Sequence, residues 1–433
     1  MIKDVTLRDT HIDWIPQIPT SWEILRSKYV FQNKSLKNNP NEPLLSVSQR
    51  DGVVVRSESD MNVWNPTDDV SGYKLIEPGD FVISLRSFEG GLELSKVKGI
   101  VSPAYTVLET IRKIDDHYFW WLMKSHQFII ELNKHVTGIR QGKNIGWDDF
   151  SNIYLTLPPL EEQKLISRYL DKKTNQIDSL ISKIEKKIEL LKEQRTSLIN
   201  QYVTKGVDPN VEMKDSGVEW IGEIPKHWKL GKLKYLSTLI TKGTTPSNIG
   251  EDYDDSGEVR FLKGEDLLDG RVIDSGKTFI SSEVNEKLRR SQLAEGDLLV
   301  VIAGTLGKCA VVPESVLPAN TNQAISLIRF REGVNSDFIR YWFETSSCKN
   351  QISEFAVVAA QPNLSMEDLG NIIVPVITTD EQNEIEKLVT EKTTNINERI
   401  FREVKRIDLL QEYRQSLISS TVTGKVRVTE EMI

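Results

Sequence analysis

The chain is poor in cysteine: Cys309 and Cys348 are the two it has in 433 residues. Two cysteines cannot build a disulfide framework or a zinc cluster, so both are expected as plain core or surface residues in a reducing cytoplasm. Long apolar runs are lacking too. The longest, such as Leu298 to Ala303, are far too short to cross a bilayer, so no membrane is expected as a partner. The first residues, Met1-Ile2-Lys3-Asp4-Val5-Thr6, have no apolar signal region, and export is not expected. There is no basic excess: 55 Lys and Arg face 63 Asp and Glu, for a net charge of −8 and a pI near 5.5. DNA binders usually show a basic face, so the total speaks against nucleic acid unless local basic strips hide within it. Acidic helices can instead serve protein partners.

Catalytic signatures are missing as well. The five histidines, His11, His117, His126, His135 and His227, lack metal-ligand spacing. No Gly-x-Gly-x-x-Gly fingerprint occurs. Gly304-Thr305-Leu306-Gly307-Lys308 lacks the spacing and the following Ser or Thr of a phosphate loop. Carboxylates are many but scattered, with no nuclease-like cluster. Composition is otherwise that of a globular protein, 39% hydrophobic and 27% charged, and the length calls for more than one domain.

What the chain does have is repetition. Trp14-Ile15-Pro16-Gln17-Ile18-Pro19-Thr20-Ser21-Trp22 returns 206 residues later as Trp220-Ile221-Gly222-Glu223-Ile224-Pro225-Lys226-His227-Trp228. Glu162-Gln163 returns 219 residues later as Glu381-Gln382, as do Asn144 as Asn363 and Asp149 as Asp368. Arg195-Thr196-Ser197-Leu198-Ile199 returns as Arg414-Gln415-Ser416-Leu417-Ile418, and Val203-Thr204 as Val422-Thr423. The middle of each half barely matches, and the second copy is 13 residues longer. A kept frame with a varied interior suits one scaffold carrying two different readers. The frame tryptophans either pin each unit to its helix end or stack on bases. Their place in the repeated part favours the first.

Each half changes periodicity once. Short β-like runs come first: Gly52–Val55, Asp80–Ser84 and Ala104–Leu108, then Glu258–Lys263, Asp297–Ile302 and Ala324–Ile328. A seam with alternating steps of four and three follows. In the first half it runs Leu170, Thr174, Ile177, Ile181, Ile184, Ile188, Leu191, Arg195, Leu198, Tyr202. In the second it runs Val389, Thr393, Ile396, Ile400, Glu403, Ile407, Leu410, Arg414, Leu417, Thr421. This pattern predicts helices of about 40 residues and about 60 Å packed along a narrow stripe. Arg195 and Arg414 interrupt the seams at equivalent places and either snorkel to the helix edge or set register against a partner helix.

The fold expected is α+β with a pseudo-two-fold repeat: two globular α/β domains joined by two long antiparallel helices that form a coiled coil. The expected boundaries are 1–158 for the first domain, 159–206 for the first helix, 207–377 for the second domain, 378–425 for the second helix and 426–433 for a tail. If the repeat is a true two-fold, the segment after the second helix must return to the Trp14 segment, near Thr423.

Leu157-Pro158-Pro159-Leu160-Glu161-Glu162-Gln163 leading into a long helix, with Ser216-Gly217-Val218-Glu219-Trp220 through Trp228, resembles the specificity subunit of type I restriction–modification systems. The resemblance covers the whole chain. The second copy departs by carrying Ile377-Thr378-Thr379-Asp380 before its Glu381-Gln382. The resemblance implies a non-catalytic subunit in which each domain reads half of a bipartite double-stranded DNA target, while the helices fix the gap. It implies two methyltransferase subunits bringing S-adenosylmethionine, and restriction/translocase subunits bringing ATP and Mg2+. No cofactor is expected in this chain itself. Two unlike readers in one chain also suit a non-palindromic target, because identical readers give palindromes.

Candidate DNA contacts lie at strand ends and in Gly-containing loops. In the first half they are Gln49, Arg50, Arg86, Ser87, Arg140 and Lys143; in the second, Lys263, Thr305, Lys308, Gln361 and Asn363. Arg and Lys suit guanine edges, Gln and Asn suit adenine, and Lys or Arg also bind phosphate without reading sequence. Any one of these residues serves equally as a solvated loop residue. Arg140 and Lys143, in a stretch free of acids, stand out. The rival reading is a coiled-coil adaptor joining two protein-binding modules without DNA, supported by the acidic pI. A self-contained methyltransferase or nuclease is a third, weakened by the missing cofactor and metal motifs.

Overall fold

The two seams form two helices, Leu160–Lys205 and Thr379–Val422, of 46 and 44 residues. The computed structural model describes residues 6–48, 51–58, 69–83, 92–134, 145–273, 278–356 and 363–433. The chain divides into two units: residues 1–185 with 404–433, and residues 186–403. Each long helix contributes residues to both.

Within the first unit the helices run antiparallel. Thr156 Oγ1, just before the first helix, donates to Val422 O at the end of the second (3.1 Å), and further along Arg414 Nε donates to Asp178 Oδ1 (3.0 Å). Within the second unit Lys187 Nζ meets Glu403 Oε1 (2.5 Å), and Lys392 lies over the Tyr202 ring, again with opposed numbering. Seam residues Thr174, Ile177, Ile184, Ile188, Leu191, Thr393 and Ile396 are buried, and the Lys and Glu between them face outward. The buried threonines satisfy their hydroxyls on the preceding turn, Thr174 to Leu170 O and Thr393 to Val389 O. At the end of the first helix the stripe shifts: Ile199 and Val203 are buried, while Leu198 and Tyr202 are half-buried. The last turns there pack on the globular core around Trp228, so a second surface overrides the heptad stripe.

Neither seam arginine snorkels into solvent. Arg195 Nη1 donates to Glu344 Oε2 (2.6 Å), and Glu344 also holds Arg340 (2.6 Å), which Asp337 grips from the other side (2.8 Å). Arg414 pairs with Asp178 on the opposite helix and stands over the Trp121 ring. Equivalent sequence positions thus find different partners.

Each unit carries a four-stranded antiparallel sheet of the same order. In the first it is Phe31–Lys34, Thr106–Thr110, Phe81–Ile83, Glu93–Leu94; in the second it is Ser237–Lys242, Ile325–Phe330, Leu298–Val301, Cys309–Val311. The turn into the third strand of each holds a buried aspartate. Asp80 accepts Lys34 Nζ (2.7 Å), and Asp297 accepts Arg329 through both oxygens (2.8 and 2.7 Å). The cation comes from the first strand of the sheet in one unit and from the second strand in the other. The second unit adds a three-stranded sheet, Phe279–Ile280, Val259–Leu262, Ala319–Thr321, in which the last two run parallel. Leu44 and Ile100 make the matching parallel bridge in the first.

The repeated Glu-Gln is explained by two buried glutamines. Gln163 Oε1 accepts from Asp115 N (2.9 Å) while its Nε2 donates to Pro158 O (2.7 Å). Gln382 Oε1 accepts from Asn335 N (2.8 Å), and its Nε2 donates to Ile377 O (3.1 Å). Asp115 and Asn335 are the caps of the short helices Asp116–Lys124 and Ser336–Glu344. Each glutamine therefore ties a short helix to the start of a long one.

The tryptophans of the repeat act as pins. Trp22 and Trp228 are among the largest fully packed side chains. In the first unit Gly424, at φ +74°, lies so close to Pro19 and Trp22 that a Cβ there would collide with the proline ring. Gly206 sits at φ +77° against Pro225 and Trp228 in the second. The segment after the second helix does return to the Trp14–Trp22 segment, as the repeat requires. Trp228 Nε1 also donates to Glu381 Oε1 (2.7 Å), the other member of the repeated Glu-Gln.

Ile184 is 4% exposed in the seam, whereas Glu185 faces solvent. Ile184→Asp is expected to destabilise the protein by about 3 kcal/mol or more, because an unpaired charge replaces buried apolar surface. Glu185→Ala should stay within about 0.5 kcal/mol. Thermal or urea unfolding of the two variants measures the difference, and equal stability would disprove the seam.

Candidate nucleic-acid interface

In the second unit, four chain segments meet where the two sheets end. The strand Val259–Leu262 exits into Lys263-Gly264. The strand Leu298–Val301 exits into the loop Ala303–Lys308 before Cys309–Val311. The turn Asn322-Gln323-Ala324 joins Ala319–Thr321 to Ile325–Phe330. Ser237–Lys242 runs out into Gly243-Thr244-Thr245.

Hydrogen bonds lock these segments into one rim. Lys308 Nζ donates to Gly264 O (2.9 Å). Ile302 N donates to Ala324 O (2.8 Å), and Thr321 Oγ1 to Leu262 O (3.0 Å). Asn363 bridges Ala303, and Leu364 N donates to Ile302 O (2.9 Å). Thr244 N donates to Thr321 O (3.1 Å), and Gly243 N to Ile325 O (3.1 Å). A Cβ at Gly243 would overlap the Thr321 carbonyl, so this crossing of two backbones needs glycine.

Lys263, Thr305, Lys308 and Asn363, far apart in sequence, are thereby gathered on one edge. Thr305 and Asn363 are exposed; Lys263 and Lys308 are half-buried. Lys263 Nζ stands 5.0 Å from the centre of the Tyr253 ring, while its backbone N–H donates to Asp266 Oδ2 (2.8 Å). Partial burial raises the Tyr253 hydroxyl pKa. Such an edge supplies cations for phosphate and amides or hydroxyls for base edges. Gly304–Lys308 is followed by a strand rather than a helix, so it is not a phosphate loop.

Gln49, Arg50, Arg86, Ser87, Arg140, Lys143 and Gln361 lie outside the described residues. Next to the first pair, Asp51 N donates to Ser48 Oγ (2.9 Å), and the strands Leu45–Ser48 and Gly52–Val55 pair antiparallel.

Sequence reasoning passed over Thr244, Thr245, Asn322 and Gln323. Their signal was short polar stretches just after the strand Ser237–Lys242 and between the strands Ala319–Thr321 and Ile325–Phe330, which read as ordinary turn chemistry. Both cysteines are core residues, and burial pushes the Cys309 thiol up to about 12. His126 opens a short helix at the surface; His135 lies outside the described residues. Among the described residues no group of three His, Cys, Asp or Glu side chains is placed to hold a metal ion. Among them, too, no helix is long and apolar enough to cross a membrane.

Residues 22–190 and 225–406 each match the type I restriction modification DNA specificity domain. The chain belongs to this family and carries two of its DNA-specificity domains. It is 25% identical over 429 residues to the type I restriction enzyme MjaVIII specificity subunit of Methanocaldococcus jannaschii, spanning 95% of this chain and 94% of the relative. It is 23% identical over 331 residues to the EcoBI specificity subunit of Escherichia coli, spanning 72% of this chain and 66% of the relative. A solved chain from a study of assembly and conformational transition of the type I R-M system shares the fold, with a TM-score of 0.64 at 14% identity over 94% of this chain and 99% of that one. The HsdS subunit of Thermoanaerobacter tengcongensis gives a TM-score of 0.50 at 15% identity over 94% and 98% of the two chains.

Lys263→Ala is expected to weaken DNA binding about equally on all sequences and to reduce the slope of log affinity against log salt by about 1. Binding titrations over a series of salt concentrations measure it. An unchanged slope would place Lys263 away from the phosphates.

Proposed function

We propose that the chain is the reading subunit of a type I restriction–modification complex, in which each unit reads one half of a bipartite, asymmetric double-stranded DNA target. The observation that carries this is the double occurrence of the specificity domain on one repeated frame whose two interiors differ in sequence. Identical rims would favour a palindrome; unlike rims free the two halves to differ. The negative total charge does not oppose the reading, because Lys263 and Lys308 give the second rim its own local cations. No observation favours the adaptor.

The chemistry is assigned to partners. Two methyltransferase subunits would use S-adenosylmethionine, and restriction/translocase subunits would use ATP and Mg2+. The paired helices, whose outer faces expose Leu190, Phe401, Leu409 and Tyr413 among charged residues, offer the surface on which methyltransferase subunits dock. The chain alone is then expected neither to methylate nor to cut DNA. Incubation of rigorously purified chain with S-adenosylmethionine and duplex DNA tests this, and methyl transfer would refute it.

The helices also act as a ruler for the gap between half-targets. One heptad inserted into each, near Ile188 and Ile407, keeps the seam in register. It adds about 10 Å to each helix, equivalent to about three base pairs of spacer. Selection of targets by the assembled complex should return unchanged half-site sequences with the longer spacer. Binding should weaken somewhat, because three base pairs also rotate one half-site about the DNA axis. Full activity on the original spacer, or altered half-sites with an unaltered spacer, would reject the ruler.

A further inference from the structure

The rim of the second unit holds one side chain in a chemically unusual state. Gln323 is exposed at the turn between Ala319–Thr321 and Ile325–Phe330, yet its carboxamide is not free to rotate. Its Oε1 accepts from Thr245 N (3.2 Å) and also from Thr245 Oγ1. A backbone N–H only donates, so the atom facing it must be the oxygen, and the orientation of the amide follows from chemistry. Both lone pairs of Oε1 are then in use, while Nε2 has no protein partner among the described residues.

The support for Thr245 is rigid. Pro246 follows it, which confines Thr245 to extended backbone, observed at φ −70° and ψ 136°. Thr244 and Gly243 are bonded to the neighbouring chain on the other side. The turn itself is stiffened by Asn322 Oδ1, which accepts from Ala324 N (3.1 Å), and by Ala324 O, which accepts from Ile302 N. Gln323 therefore presents a fixed pair of N–H donors and no acceptor, on the edge shared with Lys263, Thr305 and Lys308.

We infer that Gln323 reads an acceptor edge, the O6/N7 side of guanine, at one position of the half-target recognised by the second unit, with Thr245 as its positioning residue. The inference rests on the DNA-reading function proposed above. Glutamine ordinarily selects adenine by accepting from N6 and donating to N7. Here the acceptor is already occupied, so the adenine pattern is closed. Guanine offers two adjacent acceptors to the NH2 group, whereas thymine offers one beside a methyl group.

The test uses the full chain reconstituted with methyltransferase subunits and a randomised duplex library, with thermal stability of each variant measured alongside. The wild type should require guanine at one position of one half-site. Gln323→Ala should lose roughly ten- to hundred-fold discrimination at that position alone. Gln323→Glu replaces the donor with an acceptor and should move the preference there to cytosine, whose N4 donates. Thr245→Val keeps the backbone N–H but removes the hydroxyl, so adenine should become accepted beside guanine. If the wild type selects no sequence, the DNA-reading function itself fails. If the wild type is specific and Gln323→Ala, folded as stably, selects the same target, Gln323 is not a reader. A requirement for adenine at the position that Gln323→Ala relaxes, or a Thr245→Val target identical to the wild type's, overturns the donor-only state.

Discussion

Two buried carboxamides hold each reader against its helix. Gln163 and Gln382 use both ends of the side chain: the oxygen receives the orphan N–H at the cap of a short helix, and the nitrogen supplies the carbonyl just ahead of a long one. Breaking either would leave a buried donor or acceptor unmet, which costs about 1–3 kcal/mol per group. The clamp accounts for the survival of Glu-Gln in both copies when the leader Pro-Pro-Leu does not recur. It also sets the direction in which the short helices present their aromatic faces to the core.

Around this clamp the two units are free to differ. Asp80 and Asp297 perform the same task at the same turn, yet their cations arrive on different strands. Arg195 joins a network with Glu344, Arg340 and Asp337, whereas Arg414 crosses to Asp178 and Trp121. Such exchanges preserve charge balance while the surrounding loops vary. A scaffold that tolerates swapped partners can change its rim without losing its core.

The rim shows how far a charge total misleads. The two long helices carry 17 basic against 16 acidic residues, so the net charge of −8 arises outside them, while the edge where the second unit's strands end carries Lys263 and Lys308. The field a ligand meets is set within a Debye length of about 10 Å, not by the sum over the chain. The fixed amide of Gln323 adds a directional donor to that field, held by one residue from the end of another strand.

The frame was readable from sequence because it depends on local regularity. Steps of four and three specify a helix with one buried stripe, and a repeated Trp-x(4)-Pro-x-x-Trp marks a unit that recurs. From these follow two long helices, two α/β units and the return of the final segment to the first. The seam shifts at Leu198 and Tyr202, where Ile199 and Val203 pack on the globular core instead, and Ile181, Ile400, Ile407 and Leu410 are half-buried as well. The rim was only half readable. Lys263, Thr305, Lys308 and Asn363 were found as polar residues at strand ends, but the pairing of Thr245 with Gln323 spans 78 residues and leaves no periodic trace. Periodicity records what a residue does relative to its own helix or strand. Which loop ends meet, and which amide atom is left to face a ligand, is decided only when sheets pack and distant backbones supply the donors.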